Sequence, residues 1–445
     1  MKDRKEIRIS QCMIVKNEEK NIERALSWGK SVMWEQVVVD TGSTDRTVEL
    51  AKKLGAKVFF LEWQDDFAAA KDYAIERADG DWIVFLDADE YMTEADARKL
   101  PDIFAQLSDR EVDGITAMLH NLDHNGRIFS SCSHLRFFRN SADIRYRRRI
   151  HEQLVSLSGQ ELQILDGTGE LSIFHTGYQG EVSAEKKKSG RNRRMLLREI
   201  GEHPQDPELL GYMGDECLDD GELEEAEQWY RSAVQYMPVE LKEYDQRSAV
   251  TFTKLLMVLT EKEDRDPGEI GKVYEQAVRA FPKEGDLDYM AGRFFAVHGR
   301  PVDSIQYLEN ALDKLERYGC TNRALFLAGN LGDVYDLLAK CCYEIGELRK
   351  CVQYAVEHLK YERYEMKSLL WLLKALFQGK ETAPDQTNEG ENEAVKEFLA
   401  RLYDFSSLKD RLFVIKTAQK ADCDGFAEYV TGCFFTSEEK GLLGL

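Results

Sequence analysis

Apolar runs of strand length punctuate the first ninety residues, at Ile7–Val15, Gln36–Asp40, Val58–Leu61 and Trp82–Leu86. Between them, apolar residues recur at helical spacing, as at Ile22, Ala25 and Leu26, which predicts helices over Glu18–Ser31, Thr44–Leu54 and Phe67–Ala78. Ser43 or Thr44 is the expected N-cap of the second. Strands separated by helices of this length imply βαβ units and a parallel sheet, so this part reads as α/β. From Gly114 to Tyr178 the pattern turns strand-rich, in GITAMLH, HLRFFR and ELSIFH. That predicts a mixed-sheet extension of the same domain.

After Ser183 the pattern is helical throughout, opening with the basic segment Lys186–Arg198. An internal repeat follows. Gly214, Cys217, Gly221, Ala226, Tyr230, Ala233 and Pro238 fall at the offsets of a tetratricopeptide unit, a helical hairpin with small residues where its helices touch. The frame returns with Ile270, Tyr274, Ala277 and Pro282, then with Gly292, Gly299, Ser304, Leu308 and Ala311, and more loosely with Gly346, Cys351 and Ala355. Such units need neighbours to bury their faces, so they are expected to stack as an all-α solenoid that binds a peptide or a second protomer. Thr382–Glu393 is polar with no periodicity and reads as a loop.

Composition narrows the class. The 445 residues exceed one ordinary domain. An acidic balance of 81 Asp and Glu against 60 Lys and Arg argues against nucleic-acid binding. No apolar stretch approaches the roughly 20 residues of a membrane span, and the charged start MKDRKEIRIS is unlike an export signal. Nine cysteines without a CxxC pair read as reduced thiols. A cytoplasmic protein is expected.

Candidate chemistry gathers at the predicted carboxyl ends of the strands, where ligands of α/β folds bind. Strand four runs into Asp87-Ala88-Asp89-Glu90. Along a strand alternate side chains share a face, so both aspartates are expected to point the same way at its exit, suited to a hard divalent cation and its phosphates. Strand two ends in Asp40-Thr41-Gly42-Ser43-Thr44-Asp45, strand one in Lys16-Asn17-Glu18-Glu19, and Asp65-Asp66-Phe67 opens the helix that carries Lys71. Between Arg127 and Arg198 there are fourteen Lys and Arg to seven Asp and Glu. Arg136, Arg139, Arg147–Arg149 and Lys186–Arg194 are therefore expected to flank a diphosphate, with Arg191 and Arg194 sharing one helical face.

Together, CMIVKNEE, VVVDTGSTDRT, DDFAAAKDYA and WIVFLDADE resemble an inverting family 2 glycosyltransferase of the GT-A fold, a Rossmann-like mixed sheet that binds nucleotide-diphospho-sugars. Followed by tetratricopeptide repeats, the layout is similar to the sublancin-type peptide glycosyltransferases, which attach a sugar to cysteine or serine of a peptide. The expected organisation is a GT-A domain over 1–182, a basic helical connector over 183–205, repeats over 206–378, a flexible loop over 379–394 and a helical cap over 395–445. The resemblance implies a UDP-sugar donor and a divalent metal, Mn²⁺ or Mg²⁺. Asp40, Glu18 and the backbone near Ile14 and Val15 would meet the uracil and Asp87 the ribose, with Ala88 also in the donor-binding set. Asp89 would bind the metal with His175, which lies in Ile173-Phe174-His175-Thr176-Gly177-Tyr178. Lys71 and Asp72 stand where the family usually has Arg and Asn, and Lys71, Arg191 and Arg194 join the donor-binding set. Glu152 is the expected general base, with His151 orienting it or touching the donor; Asp89 and Glu90 compete for that role, and an ion pair with the neighbouring arginines is the other reading of Glu152. Competing readings are the same donor chemistry on a glycan or lipid-linked acceptor, and a repeat scaffold without activity. A nucleotidyltransferase would normally carry a Gly-rich basic loop where this chain has KNEE.

Overall fold

The computed structural model describes residues 7–176, 190–242, 245–261, 267–319, 326–378 and 389–443. The chain divides into two compact units, Met1–Pro204 and Gln205–Leu445.

The first unit is built on strands β1 (Ile9–Val15), β2 (Glu35–Asp40), β3 (Lys57–Phe60) and β4 (Trp82–Phe85), followed by β5 (Glu90–Met92), β6 (Gly114–Leu122), β7 (Ile128–Arg139), β8 (Ile144–Arg147), β9 (Gln153–Ser156), β10 (Ile164–Asp166) and β11 (Ser172–His175). Nine of them form one sheet in the order β3-β2-β1-β4-β7-β6-β11-β5, with β10 also paired to β6, while β8 and β9 make a separate hairpin. The first four strands are parallel, and β7 joins β4 antiparallel. β6 lies antiparallel to β7 and parallel to β10 and β11, and β5 closes the order antiparallel to β11. The mixed-sheet extension expected from the strand-rich segment is therefore present.

Burial on both faces explains why β4 is uniformly apolar. Trp82, Val84 and Leu86 pack with Phe104, Ile115 and Phe137 on one face; Ile83 and Phe85 pack with Val37, Val39, Phe138 and Tyr146 on the other. Helix α1 (Ile22–Ser27) and helix α2 (Thr47–Lys53) enclose a third cluster with Met13, Val15 and Ala88. Helix α3 (Phe67–Ile75) is capped by Asp66, whose carboxylate accepts from the Ala69 N–H at 2.8 Å. It docks on β8 through Asp72, which accepts from the Tyr146 N–H at 2.9 Å.

Two predicted helices are shorter than their apolar spacing suggested. α1 begins at Ile22 because Asn17 adopts a left-handed φ of 58° and turns the chain. α2 begins at Thr47, without the expected Ser43 or Thr44 cap. Ser43 Oγ instead accepts from the Asn17 N–H at 2.9 Å, and Asp45 serves the Thr47 N–H at 3.0 Å.

In the second unit, helices Pro207–Asp219 and Leu223–Tyr236 form the first hairpin, and later pairs include Gly285–Val297 with Pro301–Tyr318 and Leu331–Glu344 with Leu348–Tyr361. The small residues of the repeat frame lie where the helices meet. A Cβ on Gly214 would stand 2.5 Å from the Tyr230 ring, and one on Gly292 2.6 Å from Leu308. Ala226, Tyr230, Ala233, Ala277, Ala311, Cys351 and Ala355 are fully buried. No helix among the described residues is long and apolar enough to cross a membrane. The stretch expected as a loop over 379–394 is helical from Glu389 onward. Glu389 and Glu391 sit in its first turn, where acidic side chains favour the helix dipole, and Val395 and Leu399 are buried. Residues 379–388 lie outside the described residues.

Two outcomes follow from this packing. Gly214→Ala should destabilise the helical unit by about 1–2 kcal/mol in urea unfolding, because displacing the buried Tyr230 ring outweighs the helix propensity of alanine; unchanged stability would mean that the ring is free to move. Asp72 is pushed up to about 6 by burial, with the Tyr146 N–H and Arg145 opposing the shift. The folded state therefore holds the proton more tightly than the unfolded chain. The resulting stability is fully present below the unfolded carboxyl value near 3.8 and is lost as pH rises through about 6. Asp72→Asn should thus add about 1–2 kcal/mol at pH 8 and little at pH 4, partial exposure reducing the full linkage value. Equal gains at both pH values would contradict it.

Candidate active site

The loops after β1 and β2 are laced together by backbone donors. Besides Ser43, Thr47 Oγ1 accepts from the Glu18 N–H at 2.7 Å and Asp45 from the Glu19 N–H at 3.1 Å. Asn17 Oδ1 returns the exchange by accepting from the Thr44 N–H at 2.8 Å. Asp40 is buried and its Oδ1 accepts from the N–H groups of Gly42 and Ser43, both at 3.1 Å. Gly42 makes this turn with a φ of 105°, which an L side chain rarely adopts. The Val15 carbonyl accepts from the Thr41 N–H at 2.9 Å and its hydroxyl at 3.1 Å. Val15 is the buried last residue of β1 and Ile14 before it is half-buried, and Glu18 Oε2 accepts from Asn21 Nδ2 at 2.8 Å.

Asp87 and Asp89 do not share a strand face. β4 ends at Phe85, and the Glu90 N–H donates to the Asp87 carbonyl at 3.0 Å, so the two aspartates occupy a turn that sends them apart. Ala88 between them is buried against α1 and β1.

Asp87 faces two cations. Its Oδ1 is 3.6 Å from Lys71 Nζ and its Oδ2 accepts from Arg136 Nη2 at 3.4 Å. Lys71 also pairs with Glu152 Oε1 at 2.6 Å, and Arg136 donates to Glu90, whose other oxygen accepts from the Asp87 N–H at 3.0 Å. Burial opposes the charge on Lys71, but Asp87 and Glu152 reverse that effect and hold its ammonium protonated well above the ordinary lysine range. Burial drives the Glu90 carboxyl upward, with Arg136 opposing.

Asp89 meets a different partner. Its Oδ2 lies 3.3 Å from His175 Nε2, while His175 Nδ1 donates to Asn121 Oδ1 at 2.8 Å. Asn121 is itself oriented by donating to Ser130 Oγ at 2.8 Å. This fixes the imidazole with Nε2 toward Asp89. Burial lowers the basicity of the ring, but the hydrogen bond and charge of Asp89 outweigh it, so the net shift is upward. Thr176 secures the same corner, its N–H and hydroxyl both donating to the Asp89 carbonyl at 3.1 Å.

Of the residues singled out in the sequence, the structure thus brings together Lys71, Asp87 and Glu152 in one group and Asp89 with His175 in another. His151, next to Glu152, has a left-handed φ of 52°. Arg191 places its guanidinium over the Phe67 ring, 5.1 Å from the centroid, and Arg194 is exposed. Three arginines expected to flank a diphosphate have other work. Arg139 donates to the carbonyls of Val112, Leu107 and Arg110 at 2.7, 2.6 and 2.9 Å. Arg149 pairs with Glu199 at 3.1 Å and Glu202 at 2.9 Å, and Arg136 serves Asp87 and Glu90. Arg136 and Arg149 thereby satisfy the buried carboxylates of Glu90 and Glu199. Gly177, Tyr178 and Lys186–Lys188 lie outside the described residues. Asn121 and Ser130 escaped the sequence reading. A polar residue at a buried position of an apolar strand is the one signal Asn121 gives, and its partners come from other strands.

Comparison with known proteins supplies the family. The model for glycosyl transferase family 2 matches residues 10–167. The chain is 32% identical over 307 residues to a TPR repeat-containing protein of Synechococcus elongatus, spanning 67% of this chain and 68% of that one. It is 24% identical over 321 residues to the SPbeta prophage-derived glycosyltransferase SunS of Bacillus subtilis, across 70% and 72% of the two chains. An uncharacterized glycosyltransferase of Rickettsia bellii is 38% identical over 126 residues, 28% of this chain and 42% of that one. The family 2 match over residues 10–167, relatives aligned over about two thirds of the chain, and the helical hairpins that follow the sheet domain in sequence make this chain a member of the family 2 glycosyltransferases with C-terminal helical repeats.

Proposed function

We propose that the protein is a metal-dependent inverting enzyme that moves a sugar from a UDP-sugar to a cysteine or serine side chain of a peptide or protein. The observation that carries the metal and diphosphate is the Asp89–His175 pair, with the ring oriented by Asn121. An oxygen and an imidazole nitrogen facing each other across 3.3 Å suit Mn²⁺ or Mg²⁺. Asp89 and His175 would hold the ion, which when bound supplies positive charge against the departing diphosphate. Asp40, Glu18 and the backbone of Ile14 and Val15 would receive the uracil, Asp87 and Ala88 the ribose, and Arg191 and Arg194 the phosphates.

Glu152 takes the proton of the acceptor thiol or hydroxyl. The acceptor sulfur or oxygen forms its bond to the anomeric carbon from the opposite face, as the bond from that carbon to the phosphate oxygen breaks. UDP leaves with that electron pair, and the sugar is inverted. His151 lies beside the base. The resemblance to sublancin-type enzymes and the helical repeats support a peptide acceptor, which the repeats would hold alone or as a pair of protomers. A cytoplasmic setting follows from that assignment.

UDP release from a panel of UDP-sugars should fall at least about 100-fold in EDTA and return with Mn²⁺ or Mg²⁺; metal-independent turnover would remove Asp89 and His175 from their roles. Glu152→Gln should lower turnover by about 10² to 10⁴-fold while UDP affinity stays within about threefold. Should turnover survive, the base lies elsewhere. A panel of peptide, glycan and lipid-linked acceptors identifies the acceptor class, and sugar found only on a glycan or lipid would exclude the peptide assignment.

A further inference from the structure

Lys71 sits in the place of an arginine that the family resemblance assigns to the donor, yet its surroundings leave the donor no access to it. The side chain is only 3% exposed. Its ammonium reaches Glu152 at 2.6 Å and Asp87 at 3.6 Å, and the rings of Phe85 and Tyr146 lie 5.1 and 5.3 Å away. An ammonium has three N–H donors and no fixed fork. Two carboxylates and two ring faces surround it, and a phosphate would have to displace one of them.

The carboxylate it holds needs holding. Glu152 follows a segment in which Arg148 and His151 both have left-handed φ, 74° and 52°. It precedes β9, which among the described residues pairs with β8 alone in a two-stranded hairpin. The neighbouring Arg149 is committed to Glu199 and Glu202 and does not provide the ion pair of Glu152. Lys71 does, from α3, a helix with a side-chain cap and a buried face. Through Asp87 the same ammonium is tied to the turn after β4, which also carries Asp89.

We propose that Lys71 is a positioning residue that acts through Glu152, fixing the acceptor-side carboxylate relative to the donor-side turn, and is not a donor ligand. This rests on Glu152 being the base. A buried charge left without its partner loses its place in the fold, and a carboxylate free to swing loses the near-attack geometry that proton transfer requires.

A double-mutant cycle tests it, using UDP titration in Mn²⁺ and the rate of UDP release from UDP-glucose and UDP-N-acetylglucosamine with water as acceptor. K71M should lower the rate at least tenfold and leave UDP affinity within threefold. In the E152Q background K71M should cost less than twofold further, and K71R should restore at least a third of the rate. Circular dichroism establishes that each variant is folded, and K71Q, which also removes the ammonium, takes the place of K71M in the cycle should the latter fail to fold. A tenfold loss of UDP affinity in the Lys71 variant, or equal rate losses in the wild-type and E152Q backgrounds, overturns the proposal while leaving the base assignment standing. An E152Q enzyme with the wild-type rate removes the base assignment, and the role of Lys71 with it.

Discussion

Two buried cations among three carboxylates organise the transferase unit. Lys71 and Arg136 grip Asp87 from opposite sides, and each continues to a second acid, Glu152 or Glu90. These groups come from α3, β7, the β4–β5 turn together with the first residue of β5, and the segment before β9. They are far apart in sequence, and no single one can shift without stranding a buried charge, at a cost of several kcal/mol. The network therefore does for the site what an apolar core does for the sheet. It sets the distances among these side chains through the fold itself.

The two aspartates of the Asp-x-Asp segment take separate parts because of that network. Asp87 is bound into it, whereas the turn carries Asp89 over to β11, where the His175–Asn121–Ser130 chain ends. One short turn thus joins an internal brace to an orientated oxygen–nitrogen pair. Reciprocal hydrogen bonds between the loops after β1 and β2 draw two strand ends into one rim. The helical unit relies on a different constraint: glycine at the crossing of paired helices, where Tyr230 and Leu308 occupy the space a side chain would need.

Much of this was legible in the chain itself. Period-two and period-3.6 patterns are local, so the parallel strands, the later strand-rich segment and the helical hairpins could be read directly. The family motifs at the strand ends were equally visible. Helix starts were less so. Thr44 is as good a cap as Asp66 by residue type, but Asn17 and the KNEE loop compete for the groups around it, and that competition comes from another part of the chain.

What the sequence determined by itself is whatever depends on neighbours a few residues apart: the order of strands and helices, the repeat frame and the acidic character of the rim. Tertiary structure alone decided the pairings. Nothing local tells that Arg149 turns to Glu199 while Lys71 takes Glu152, that Arg139 satisfies carbonyls, or that Asn121 orients His175. An ion pair or a buried hydrogen bond is chosen by whichever opposite group desolvation leaves within reach, and reach is a property of the folded chain.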